Sequence, residues 1–151
     1  MLIERKVQIE AIKTKSYMAG KADGVVMFTQ GHYIVYVPEK DCLIDISKIG
    51  GLRKEFVEKY NANEVEKLLK PIGLTKKMLL YIGATLRLFE NKKTGERIWL
   101  DKKYVKKFEG CRPYSVDMGE RGKAIVFKRG GKIVGLVLPV AVPEEMEDKS
   151  V

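Results

Sequence analysis

Lys102, Lys103, Lys106 and Lys107 recur at i, i+1, i+4 and i+5, a spacing that gathers four ammonium groups on one stripe of a helix. Tyr104, Val105 and Phe108 fall on the opposite face. A helix with this division buries its aromatic side and offers the other to anions. The chemistry it suits is charge neutralisation along a phosphate backbone, with no bond made or broken. The surroundings agree. Residues 76–135 hold 16 Lys and Arg against 6 Asp and Glu, while residues 1–75 hold 12 against 10. The competing reading is a solvated lysine face with no partner. The further cations Lys92, Lys93, Arg97, Arg112, Arg121, Lys123, Lys128, Arg129 and Lys132 raise the binding reading to equal weight with it. Of these, Arg112 follows the stripe closely enough to extend the same surface. Tyr33, Tyr36, Phe89 and Trp99 lie on expected strands and could stack bases, though sheet packing explains each as well.

Covalent chemistry has less material. His32 is the one histidine of the chain, set in a tight turn where a hydrogen bond pinning the turn explains it better than general-base work. Cys42 and Cys111 form no CxxC pair and are expected to be reduced thiols. Cys111 is followed by Arg112, a base that would lower a thiol's pKa. The run 119–124, GERGKA, has the Gly-Lys of a phosphate loop, but Ala124 stands where a magnesium-binding Ser or Thr is required. Glu39, Asp41 and Asp45 read as solvated edge charges rather than metal ligands. The sequence implies no enzyme, no cofactor and no metal.

The elements that must position the stripe follow from periodicity. Val7, Ile9 and Ala11 alternate with Gln8 and Glu10, which predicts a first strand over 3–12. Residues 24–37, GVVMFTQGHYIVYV, predict a hairpin turning at Gln30-Gly31, with Thr29, Gly31 and His32 as its structural turn. A short strand is expected at 42–46, with Gly50-Gly51 stopping sheet structure. Leu52, Phe56, Val57 and Tyr60 predict a helix. A second begins at Asn63, capped there, and ends at Pro71. Residues 78–82 read as strand or short helix, with strand preferred. A hairpin follows at 84–100. Asp101 is the expected N-cap of the lysine helix over 102–109, and Gly110 its stop. The last hairpin pairs 123–128 with 132–140 through Gly130-Gly131, a pair suited to a type I′ turn. The fold class is therefore α+β: an antiparallel sheet of several hairpins with two or three short helices.

The chain has 151 residues and a net charge of +9. This size predicts one domain, 1–142, and residues 143–151, PEEMEDKSV, read as an acidic, disordered tail. The N-terminus mixes Glu4 with Arg5 and Lys6, so no signal peptide is expected. The apolar run 133–143 is too short to span a bilayer. These features imply a cytoplasmic location and no membrane partner.

Two stretches resemble a known family. Thr29-Gln30-Gly31-His32-Tyr33-Ile34, between two strands, is similar to the Thr-Asp-Gly-His-Arg-Leu hairpin of the bacterial DNA polymerase sliding clamp, the β subunit. Ala124–Phe127 and Gly135–Val140 resemble that clamp's final hairpin, whose last strand carries a proline. Gln30 replaces the motif's acid and Tyr33 its arginine. The resemblance implies a sliding-clamp-like domain, non-enzymatic and associated with DNA or with a replication protein. It also implies homo-oligomerisation, since a clamp ring needs several such domains, and suggests a phage or mobile-element origin. The alternative is a protein-interaction module of unrelated α+β fold, adding a partner strand to the edge of the 24–37 or 123–140 hairpin.

Overall fold

The computed structural model describes the backbone of residues 1–151 and every side chain except that of Arg121. The chain runs α1 (Ile3–Thr14), β1 (Met18–Ala22), β2 (Val25–Thr29), β3 (Tyr33–Pro38), β4 (Gly50–Gly51), α2 (Lys54–Lys59), α3 (Ala62–Glu66) and β5 (Lys70–Pro71). It continues with β6 (Gly73–Tyr81), β7 (Ala84–Asn91), β8 (Glu96–Asp101), α4 (Lys102–Lys107), β9 (Arg112–Asp117), β10 (Lys123–Arg129), β11 (Lys132–Val137) and α5 (Glu144–Glu147). The class is α+β. One sheet has eight strands in the order β4-β1-β2-β3-β11-β10-β9-β5, and a second has three in the order β6-β7-β8. Pairing is antiparallel except for β1 with β4.

Both faces of the large sheet are covered, and the period of two decides which side chain meets which cover. Phe28, Val35, Ile125 and Phe127 point to the face shared with Val7 and Ala11 of α1, with Phe108, and with Phe89, Ile98 and Leu100 of the small sheet. Met27, Ile34, Tyr36, Val126 and Leu136 point to the other, against Tyr60, Val65 and the helices that carry them. This double burial is why β3 reads as an unbroken apolar run. The far side of the small sheet, with Leu79, Leu86, Leu88 and Trp99, packs under Val140 and Val142.

Several elements depart from the expected ones. Residues 3–14 are helical, not a strand. Ile3, Val7 and Ala11 are spaced by four, and Val7 and Ala11 are buried while Ile9 and Ile12 are exposed. The alternation of Val7, Ile9 and Ala11 is real, but its middle member, Ile9, faces water. Residues 42–46 form no strand; the segment is irregular between 3₁₀ turns at Glu39–Asp41 and Ile46–Lys48. Gln8 holds it in place, donating to Asp41 O at 3.2 Å and accepting from Leu43 N at 2.7 Å. Gly50-Gly51 does not stop the sheet but adds to its edge. The second short helix is capped by Asn61, whose side chain accepts from Asn63 N, and it ends at Glu66 well before Pro71. Strands β1 and β9 have no counterpart among the expected elements. The segment 143–151, expected as a disordered tail, carries α5. Val151 exchanges two backbone hydrogen bonds with Met78, at 2.8 and 2.6 Å, and Trp99 Nε1 donates to Glu147 at 2.6 Å.

Three hairpins turn through two residues with positive φ. Asp23-Gly24 joins β1 to β2, Gly130-Gly131 joins β10 to β11, and Ile82-Gly83 joins β6 to β7. The first two use the residues such turns favour. Ile82, at φ 46°, does not: a β-branched side chain there costs about 1–2 kcal/mol.

A tyrosine pair closes the core between α1 and the sheet. Tyr17 donates to Glu10 at 2.7 Å and shares a short hydroxyl–hydroxyl hydrogen bond with Tyr33, whose oxygen lies 3.0 Å from Gln30 Oε1. Burial pushes both phenols above their ordinary range, and burial does the same to Tyr36. Each folded-state pKa lies above the unfolded one, so the stability these groups contribute is complete below the ordinary tyrosine value of 10.0 and is lost as pH rises beyond it. Ultraviolet titration at 295 nm should show these tyrosines ionising only together with loss of the near-ultraviolet circular dichroism. A separate, reversible ionisation of the buried phenols below the unfolding transition would contradict this account.

Candidate nucleic-acid interface

Helix α4 begins where Asp101 accepts a hydrogen bond from Lys103 N at 3.0 Å. Phe108 closes it, and Gly110, at φ 83°, lets the chain turn toward β9. The aromatic face anchors the helix. Phe108 lies flat on Phe127, centroids 4.9 Å apart and planes at 5°. Tyr104 packs on Tyr33 at 5.2 Å and stacks on His32 at 5.6 Å and 18°. Burial of this face outweighs the modest helix propensity of six residues, which alone would not hold a helix in water.

The turn residues therefore reach the lysine helix. Thr29 Oγ1 donates to Tyr33 O at 2.7 Å and accepts from Gly31 N at 2.9 Å, with Gly31 at φ 103°. His32, exposed in that turn, docks its ring on Tyr104. Sequence spacing marks the turn and the helix separately; their contact is a product of the tertiary fold.

Lys102, Lys103 and Lys106 project into solvent, whereas Lys107 is half-buried with its ammonium 5.2 Å from the Tyr33 ring centroid. Among the described residues, Lys103 has a loose ion pair with Asp101 at 3.8 Å, and no ion pair engages Lys102, Lys106 or Lys107. The stripe divides between two concavities. Lys102, Lys103 and Lys106 line one of about 340 Å³ with Gly83, Ala84 and Thr85 of the β6–β7 hairpin. Lys106 and Lys107 line another of about 340 Å³ with Lys6, Glu10, Cys111 and Arg129.

Arg112 does not join this surface. Its guanidinium lies 5.6 Å from the Tyr114 ring, and its register partner is Lys128, which is paired with Glu66 of α3 at 2.7 Å. Register partners share a face, so Arg112 belongs to the α2–α3 side of the sheet, away from α4. Strand β9, which sequence periodicity does not reveal, is what turns it there.

The other candidate groups for covalent chemistry are accounted for by packing. The cation beside Cys111 is Arg129 rather than Arg112, and Arg129 is held by Glu4. Burial raises the Cys111 thiol, outweighing the lowering by Arg129, which opposes nucleophilic use. Cys42 Sγ donates to Ile44 O at 3.6 Å. Glu39 pairs with Lys21 at 3.0 Å, and Asp45 accepts from both Ser47 N and Ser47 Oγ, which holds its carboxyl below the usual range. The 119–124 run is a 3₁₀ turn leading into strand β10, without the helix a phosphate loop requires. Among the described residues, no group of three or more His, Cys, Asp or Glu side chains could hold a metal. Among them, too, no helix is long and apolar enough to cross a membrane.

No family model, curated protein or solved structure matches the chain.

Proposed function

We propose that the chain is a DNA-binding domain, without catalysis of its own, that holds the phosphate backbone of a duplex through the lysine face of α4. The carrying observation is a set of exposed ammonium groups, Lys102, Lys103 and Lys106, fixed on a helix whose opposite face is stacked into the core. A helix anchored in the core presents these cations with no backbone left to order on binding, and phosphates are the anions spaced to meet several at once. Contacts of this kind position a duplex and carry little sequence information. The strand-addition alternative has less to offer at the 24–37 and 123–140 hairpins, because β2, β3, β10 and β11 all lie inside the large sheet.

The resemblance of the 29–34 and 124–140 stretches to a sliding clamp extends the reading to replication, with copies of the chain joined edge to edge. Light scattering in the presence of duplex should then find oligomers; a 17.2 kDa particle under all conditions would remove the ring and leave a monomeric DNA binder. The DNA reading itself is tested by fluorescence anisotropy on a duplex of arbitrary sequence. Saturable binding is expected at about 50 mM salt, weakening steeply as salt rises. No binding at that concentration would end it.

A further inference from the structure

The tip of the β6–β7 hairpin is built against the usual rules for such tips. Ile82 is 85% exposed and Leu80 77% exposed, the two highest values among the exposed large hydrophobics away from the chain ends. Ile82 also occupies a left-handed backbone position, φ 46°, followed by Gly83 at φ 73°. The same chain uses Asp-Gly and Gly-Gly at its two other turns of this kind. An apolar, β-branched side chain thus stands fully in water at a position where Asn or Asp would be both more soluble and less strained.

The surroundings say what it could meet. Leu80 pairs with Thr85, so the two share a face of the small sheet. Thr85, with Gly83 and Ala84, forms one wall of the concavity whose other wall is Lys102, Lys103 and Lys106 together with Asp101, the loose partner of Lys103. Two apolar side chains at a protruding tip therefore stand beside three cations. A duplex presents the matching pair of surfaces: apolar stacked bases flanked at close range by phosphates. Side chains such as Ile and Leu enter between base steps in this way, unstacking them and bending the duplex. The apolar tip comprises two side chains, the size of a wedge for one step rather than of a face that buries in lipid.

We propose that Ile82, supported by Leu80, is a wedge that inserts at a base step of a duplex whose phosphates are held by the α4 lysines. This rests on the DNA-binding reading above and adds deformation of the DNA to it. The most favourable steps are pyrimidine–purine ones, which unstack most easily. The strained turn keeps the Ile82 side chain at the apex.

The test uses a short duplex with a single 2-aminopurine at a TA step, whose fluorescence rises when it unstacks. The wild-type chain should bind and raise that signal. Ile82→Asn keeps a residue suited to the turn, so the fold should survive. It should lose the rise in signal and bind about tenfold more weakly. Leu80→Thr should give a smaller change in the same direction. If the wild type fails to bind at about 50 mM salt, the DNA reading fails and the wedge with it. If the wild type binds but Ile82→Asn matches it in affinity and in 2-aminopurine signal, the wedge alone is overturned and the lysine contact stands. A third arm uses vesicles of phosphatidylcholine with phosphatidylglycerol. Co-sedimentation that requires Ile82, without unstacking of the duplex, would assign the tip to a lipid surface and overturn the proposal.

Discussion

Gly135→Ala should unfold the chain well below the wild-type melting temperature. A Cβ built on Gly135 falls 2.0 and 2.2 Å from Cε1 and Cζ of Phe108, and 3.0 Å from Ile34 O. None of these neighbours can retreat easily. Phe108 is pressed flat on Phe127 on its other side, and Ile34 belongs to β3, the neighbour of β11 in the middle of the large sheet. Overpacking costs about 1–3 kcal/mol where side chains can adjust, and more where they cannot. At about 3 kcal/mol, a chain of this size loses roughly 6–12 °C in melting temperature. The clash also lies beneath α4, so the lysine face should lose its anchor and DNA affinity per folded molecule should drop. Phe108→Leu introduced into Gly135→Ala should restore part of the stability, because the shorter side chain vacates the space of the ring tip. Differential scanning calorimetry of the two single variants and the double variant decides the matter. A Gly135→Ala melting point within about a degree of wild type would show that the core at this point is looser than its geometry.

Replacing Lys102, Lys103 and Lys106 together by Gln should remove most of the affinity for DNA while leaving the fold intact. The three side chains are exposed, and Gln is a good helix former. The Asp101 cap accepts from the backbone N of residue 103, which the substitution does not touch. Each phosphate contact releases counterions, contributing about −0.9 to the slope of log affinity against log salt. Removing the three ammonium groups should therefore flatten that slope by up to about 3 units. The weakening should be alike on any duplex, because contacts to phosphates carry little sequence information. Lys107→Gln is best made separately, since Lys107 also lies over the Tyr33 ring and its replacement disturbs packing as well as charge. Anisotropy at three salt concentrations measures the slope. An unchanged slope in the triple variant would move the contact surface elsewhere on the molecule.

The elements legible from residues alone are those whose signal is local. The hairpins at 24–37, 84–100 and 123–140 announce themselves by β-branched and aromatic runs flanking Gly-containing turns. Helix α4 does so by its Asp101 cap, its i and i+4 lysines and its Gly110 stop. The first element shows the limit: Val7, Ile9 and Ala11 satisfy a period of two, while Ile3, Val7 and Ala11 satisfy a helical one. The choice depends on which of them a partner buries, and that partner is the large sheet. The segment 42–46 carries the β-branched composition of a strand, yet it has no neighbour to pair with and is held instead by Gln8.

The candidate interface divides in the same way. The lysine stripe is a property of spacing, so Lys102, Lys103, Lys106 and Lys107 can be named from the residues. That Arg112 belongs to another face, that His32 docks on Tyr104 and that Cys111 lies beside Arg129 are contacts between segments distant in the chain or turned by an unseen strand. The Ile82 tip has one local trace, an Ile-Gly pair where Asn-Gly or Asp-Gly would be ordinary. Its nearness to the lysines comes only from packing α4 against β7. Periodicity records which way a side chain faces relative to its own element. Which surface that face meets is decided by the packing of elements, because burial free energy depends on the partner and not on the segment alone.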